Sequence, residues 1–119
     1  MFRQADYDLE TAEDLFNGGR YFYAVFMIYL SIEKGLKGLY QARLKEIPPR
    51  VHNLVSLLNK IGMKPPEIQA KFLIMLNEAS VPTRYPETLE VLKRDYTQSV
   101  VQDILAKSKE VLEWIKSQR

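Results

Sequence analysis

Between Arg20 and Lys45 the chain runs without a proline, and from Tyr21 to Leu30 without a charge. Apolar residues fill every side of that first half. In a water-exposed fold such a helix is buried against several neighbours. After Leu30 the pattern narrows to a stripe, Ile32, Leu36 and Leu39, beside a charged face of Glu33, Lys34 and Lys37. The stretch predicts one helix of roughly 39 Å at about 1.5 Å per residue. Small residues (Ala24, Ser31, Gly35, Gly38, Ala42) recur along one side of it. A mid-helix glycine costs about 1 kcal/mol relative to alanine. Close packing of a neighbouring helix or a dimer mate is expected to offset that cost, with a ligand against bare backbone as the lesser alternative.

The flanking segments read as amphipathic helices built to cover this one. Ala5, Leu9, Ala12, Leu15 and Phe16 form a helical stripe over residues 3 to 17. Asn17-Gly18-Gly19 ends it, because glycine accepts the left-handed conformation that closes a last turn. So short a connection makes the first two helices antiparallel neighbours. Pro48-Pro49 stops the second helix, since proline lacks the amide donor. Leu54, Leu57, Leu58 and Ile61 predict a third helix over residues 52 to 61, ended by Gly62. Pro65-Pro66 and Glu67 open a fourth, with proline at its first position and the stripe Ile68, Phe72, Leu73, Met75, Leu76 and Ala79. Residues 81 to 95 are the longest break, held extended by two prolines, with Leu89, Val91 and Leu92 suggesting that part of it packs down. A last helix spans about 97 to 117, with Val101, Ile104, Leu105, Ser108, Val111, Leu112 and Ile115 inward. The pattern predicts an all-α, up-and-down bundle of four to five helices around a long central second helix.

Composition sharpens this picture at a few points. The 119 residues suit one domain covering 1–119. The uncharged run is too short for a membrane span, which needs about 20 residues. No basic, apolar leader opens the chain, so a cytoplasmic protein without membrane attachment is expected. With no cysteine, disulfides and thiolate chemistry are excluded. The net charge of +2 does not by itself demand nucleic acid. Its distribution is uneven: residues 1 to 19 carry five acids against Arg3, and residues 34 to 50 carry five bases against Glu46. These read as two solvated faces that pair weakly, or as a basic region that receives an anion.

The chemistry-bearing residues are few. With one histidine, His52, no two-histidine zinc site or Glu-x-x-His di-iron site can be built. No phosphate-binding glycine loop or Gly-x-Ser-x-Gly turn occurs, and no metal, cofactor or catalytic residue is assigned. His52 falls where the third helix begins, as a capping or packing residue or as an anion contact. Glu33 and Lys37 stand four apart, glutamate first, as in a surface helix pair of about 0.3–0.5 kcal/mol. Because they follow a buried stretch, one of these charges can instead border the core. Arg84-Tyr85-Pro86 in the long break either pins that segment to the helices or offers a guanidinium to phosphate or carboxylate.

Taken in order, Ala5-Asp6-Tyr7-Asp8-Leu9, Gly19-Arg20-Tyr21-Phe22-Tyr23-Ala24-Val25-Phe26, Glu33-Lys34-x-x-Lys37, His52-Asn53-Leu54 and Thr83-Arg84-Tyr85-Pro86 resemble the HEPN domain family over roughly residues 3 to 117. The resemblance implies a four- or five-helix bundle, usually dimeric. Some members accompany a minimal nucleotidyltransferase and were proposed to bind nucleotide for it. Others are metal-independent RNA-cleaving toxins, with an arginine four to six residues before a histidine that does acid–base work across a dimer. Here Arg50 is two residues before His52 and Arg43 nine before it, a departure that disfavours RNA cleavage. The expectation is therefore a homodimeric, non-enzymatic module. It binds a nucleotide or similar anion through Glu33, Lys34, Lys37, His52, Arg84 and Tyr85, or partners a nucleotidyltransferase. An RNA-cleaving toxin with an atypical site is the alternative.

Overall fold

The computed structural model describes residues 1–79 and 89–119. Over these the chain forms six helices and no strand: α1 (Phe2–Asn17), α2 (Tyr21–Leu44), α3 (Leu54–Ile61), α4 (Glu67–Ala79), α5 (Leu89–Asp95) and α6 (Gln98–Ser117). The fold class is the one the pattern predicts. The added element is α5, a short helix in the stretch read as a break; its Leu92 is buried and its Val91 is exposed.

The central rod is unbroken, and α2 packs against each of the other five helices. Ala24, Val25, Ile28, Tyr29, Ile32, Leu36 and Leu39 of α2 are buried. Facing them are Ala5 and Ala12 of α1, all four apolar positions of the α3 stripe, and all seven inward positions of α6. Burial of a side chain of this size contributes about 1.5–3 kcal/mol. One expectation fails here. The first half of α2 is not covered all round by the described residues. Tyr23 is 52% exposed, and Phe26, Met27 and Leu30 on the same side are only half-buried. Among the described residues, the helices packed on α2 leave that side partly open.

The two mid-helix glycines are explained by contacts within the chain. A Cβ on Gly35 falls 2.8 Å from Leu112 Cδ1 of α6. One on Gly38 falls 3.2 Å from Phe2 Cζ and 3.3 Å from Met1 Cβ. Neighbouring helices, not a mate or a ligand, occupy that side.

Several boundaries move for local reasons. Gly19, not Gly18, takes the left-handed conformation (φ 79°), and Arg20 N donates to Leu15 O at 2.8 Å. α2 stops at Leu44, ahead of the diproline, with Lys45 left-handed at φ 56°. α3 begins at Leu54, capped by Asn53, whose Oδ1 accepts from Ser56 N at 3.0 Å. His52 is therefore not the cap. α4 begins at Glu67, and Pro66 supplies a carbonyl to Ala70 N rather than the first helical residue. The α4 stripe is narrower than read: Phe72, Leu73, Leu76 and Ala79 are buried, but Ile68 is 78% exposed and Met75 lies at the surface.

Surface charge pairs across helices. Asp6 and Glu13 of α1 meet Lys116 (2.5 Å) and Lys109 (3.0 Å) of α6. The hydrogen bond to Asp6 is the main cause holding the Lys116 ammonium above its ordinary pKa, against the opposing effect of burial. The acidic N-terminal face is thus tied mainly to α6.

Candidate functional site: a buried glutamate holding an exposed histidine

Glu33 sits one turn after the uncharged half of α2 and is buried, with 4% of its surface exposed. A carboxylate is not buried without compensation. Two donors supply it. Lys37, one turn on, places Nζ 3.0 Å from Oε1, and His52 places Nδ1 2.6 Å from the same oxygen. The helical i, i+4 spacing is as read from the sequence, but the glutamate borders the core and the pair is not an ordinary surface one.

The histidine is held on more than its ring. The buried Tyr29 hydroxyl donates to the His52 carbonyl. Two residues on, Leu54 N donates to Asn77 Oδ1 of α4 at 2.9 Å, and Asn53 caps the helix. Residues of α2, α4 and the α3 cap therefore fix the backbone that carries the ring. The side chain itself is 66% exposed. An ionised carboxylate only accepts hydrogen bonds, so Nδ1 carries the proton shared with Glu33 and Nε2 is the nitrogen left for solvent. Neutral, Nε2 accepts; protonated, it donates to an anion. Beside it runs an open groove lined by Val51, Asn53, Val55, Ser56, Asn59 and Lys60.

Of the six candidate residues, Glu33, Lys37 and His52 come together. Lys34 does not join them. Its ammonium lies 2.6 Å from Asp8 Oδ2, a buried carboxylate on α1. Arg84 and Tyr85 lie outside the described residues. Tyr29 and Asn77 were not legible as site residues, since each reads as part of an apolar stripe or its flank. Asn53 was legible, as an asparagine directly before an apolar helical run. Among the described residues no group of three or more His, Cys, Asp or Glu could hold a metal ion. No helix among them is long and apolar enough to cross a membrane.

The fold and this site define a small all-helical module whose one histidine is presented at the surface by a carboxylate from the central helix. The HEPN domain model matches residues 1–118, and the chain belongs to that family. Among solved structures it is similar to TT1696 from Thermus thermophilus, with 24% identity and a TM-score of 0.84 over 99% of this chain and 94% of that one. It is also similar to ST0689, an archaeal HEPN homologue, with 29% identity and a TM-score of 0.78 over 98% and 93%. The first of these likenesses speaks to fold alone. A search among curated proteins finds no match.

Proposed function

We propose that the chain is a homodimeric, non-catalytic HEPN module that binds a nucleotide-like anion at the Glu33–Lys37–His52 cluster, as an accessory to a nucleotidyltransferase. The observation that carries this reading is the contrast at one contact: a 66% exposed imidazole anchored at 2.6 Å by a carboxylate that is 6% exposed. A histidine that only packs turns its ring inward. This ring is fixed at one nitrogen and open at the other, and the Lys37 ammonium shares its anchor. A protonated imidazole and an ammonium held this way suit phosphate oxygens. The half-buried side of α2 at Phe26, Met27 and Leu30 supports a second copy as its cover. Arg84 and Tyr85 remain candidates to complete the site. The nucleotidyltransferase partner and a cytoplasmic setting rest on the family resemblance and the sequence reading.

Calorimetry with ATP tests it. Saturable binding is expected, with the cluster's share removed by His52→Ala and weakened by Lys37→Ala. Absence of affinity for ATP and other nucleotides, with no nucleotidyltransferase co-purifying, refutes it.

A second reading, metal-independent RNA cleavage, is favoured by the same dyad, because a carboxylate on Nδ1 orients Nε2 for acid–base work. It lacks an arginine at the required spacing. Arg43, moreover, is committed elsewhere: its Nε donates to the Gln118 carbonyl at 2.8 Å. RNA degradation that disappears in His52→Ala would establish this reading, and equal degradation by both proteins removes it.

A further inference from the structure

A different cleft lies at the N-terminal end of the central helix. It is about 500 Å³ in volume, has Gly19 at its edge, and is lined by Arg20, Tyr21, Phe22, Tyr23, Lys93 and Tyr96. Eleven residues of helix separate Phe22 from Glu33, or roughly 17 Å at about 1.5 Å per residue. One small molecule does not reach both places.

Its chemistry is selective. The described lining residues include two cations and no carboxylate. Lys34, Lys37, Lys109 and Lys116 each meet an acid, but Arg20 and Lys93 take part in no ion pair among the described residues. The rest of the wall is aromatic. The Phe22 and Tyr23 rings stack on each other, centroids 4.2 Å apart and tilted by 33°, and Tyr23 stays 52% exposed. Tyr21 is braced by Phe16 at 5.5 Å. Across from them Tyr96 is half-buried, and burial, then the neighbouring Asp95, pushes its phenol up, so it remains a hydroxyl donor at neutral pH. The parts come from distant stretches, the α1–α2 turn and the α5–α6 junction, brought together as α5 packs on α2. Volumes of roughly 300–1,000 Å³ with a few polar groups among aromatics are those of small-molecule sites. Tyrosine faces stack on planar rings, and Arg and Lys take phosphate.

We infer that this cleft is a second binding site, for a phosphorylated aromatic ring the size of a nucleoside monophosphate: the ring stacks on the outer face of the exposed Tyr23 and the phosphate lies between Arg20 and Lys93. The site does not depend on His52. The test is a proton–nitrogen NMR titration of the full chain with AMP, alongside inorganic phosphate. The expected result is saturable shifts at residues 19–23 and 93–96 that weaken at least tenfold in an Arg20→Ala/Lys93→Ala variant. Tyr23→Ala weakens AMP but leaves phosphate unchanged. All three side chains are surface-exposed, so the variants retain the fold, which the undisturbed spectrum elsewhere verifies. In His52→Ala the AMP shifts persist, so this inference and the proposed function fail separately. Shifts confined to the His52 region, no saturation at millimolar AMP, or equal affinity for AMP and phosphate with no effect of Tyr23→Ala overturns the inference.

Discussion

Replacing each of the two mid-helix glycines by alanine gives opposite results, and the sign follows from what faces them. Either change gains about 1 kcal/mol of helix propensity. At Gly35 the new methyl falls 2.8 Å from Leu112 Cδ1. Carbon atoms rest at about 3.5–4.0 Å, so Leu112 must retreat by roughly 0.7 Å or more. Leu112 is 1% exposed and has Val111 and Ile115 buried beside it, so it has little room to retreat. Overpacking of this kind costs about 1–3 kcal/mol. The net expectation for Gly35→Ala is a loss of about 1 kcal/mol. At Gly38 the nearest atoms, 3.2–3.3 Å away, belong to Met1 and Phe2 at the start of the chain. Met1 is 46% exposed and both residues can give by a few tenths of an ångström. Gly38→Ala should therefore gain about 0.5 kcal/mol or more. The gap of about 1.5 kcal/mol corresponds to roughly 6 °C in Tm for a chain of this size. Urea unfolding followed by helical circular dichroism, with an unchanged m-value, measures it. Combining Gly35→Ala with Leu112→Ala removes the clash, so the glycine change becomes stabilising and the pair couples by about 2 kcal/mol. Equal effects at the two glycines, or additivity in the double variant, refutes the reasoning.

Other perturbations test other contacts. Glu33→Ala removes the anchor shared by Lys37 and His52, and a loss of about 2 kcal/mol in urea unfolding is expected, because Lys37 can still reach water. Ile68→Ser, read from sequence as a core change, falls at a 78% exposed position and should move stability by less than about 0.5 kcal/mol. Lys116 is held above its ordinary value of 10.5 in the fold by Asp6, so its contribution is complete below that pH and is lost as pH rises through the folded value. Lys116→Met should accordingly flatten the part of the alkaline stability slope that this lysine supplies, while Tyr96, also raised, adds loss of the same sign from about pH 10 upward.

The sequence made the helices legible where one property dominated. The third and last helices were readable position by position because each buries one clean stripe. Ile68 misled because an apolar residue at the right angle near a helix start can overhang the solvent when the partner helix is short; α3 has only eight residues. The first half of α2 misled differently, since all-round apolarity does not say whether a neighbour within the chain covers each side. Among site residues, the Glu33–Lys37 spacing was visible in one helix. The meeting of Glu33 with His52, 19 residues on, was not, because it depends on how the loop after α2 folds back. The separation of Lys34 from its neighbours was hidden for a similar reason. Adjacent helical residues point about 100° apart, so Glu33 turns to α3 and Lys34 to Asp8 on α1.

Binding at the Glu33–Lys37–His52 cluster turns on one imidazole, and the chain contains only one histidine. Long-range proton–nitrogen NMR therefore reports His52 without assignment. The expected spectrum shows a proton on Nδ1, held by Glu33, and an Nε2 signal that moves saturably as ATP is added, less so in Lys37→Ala. An unprotonated Nδ1, or a ring whose signals ignore ATP at millimolar concentration, contradicts it.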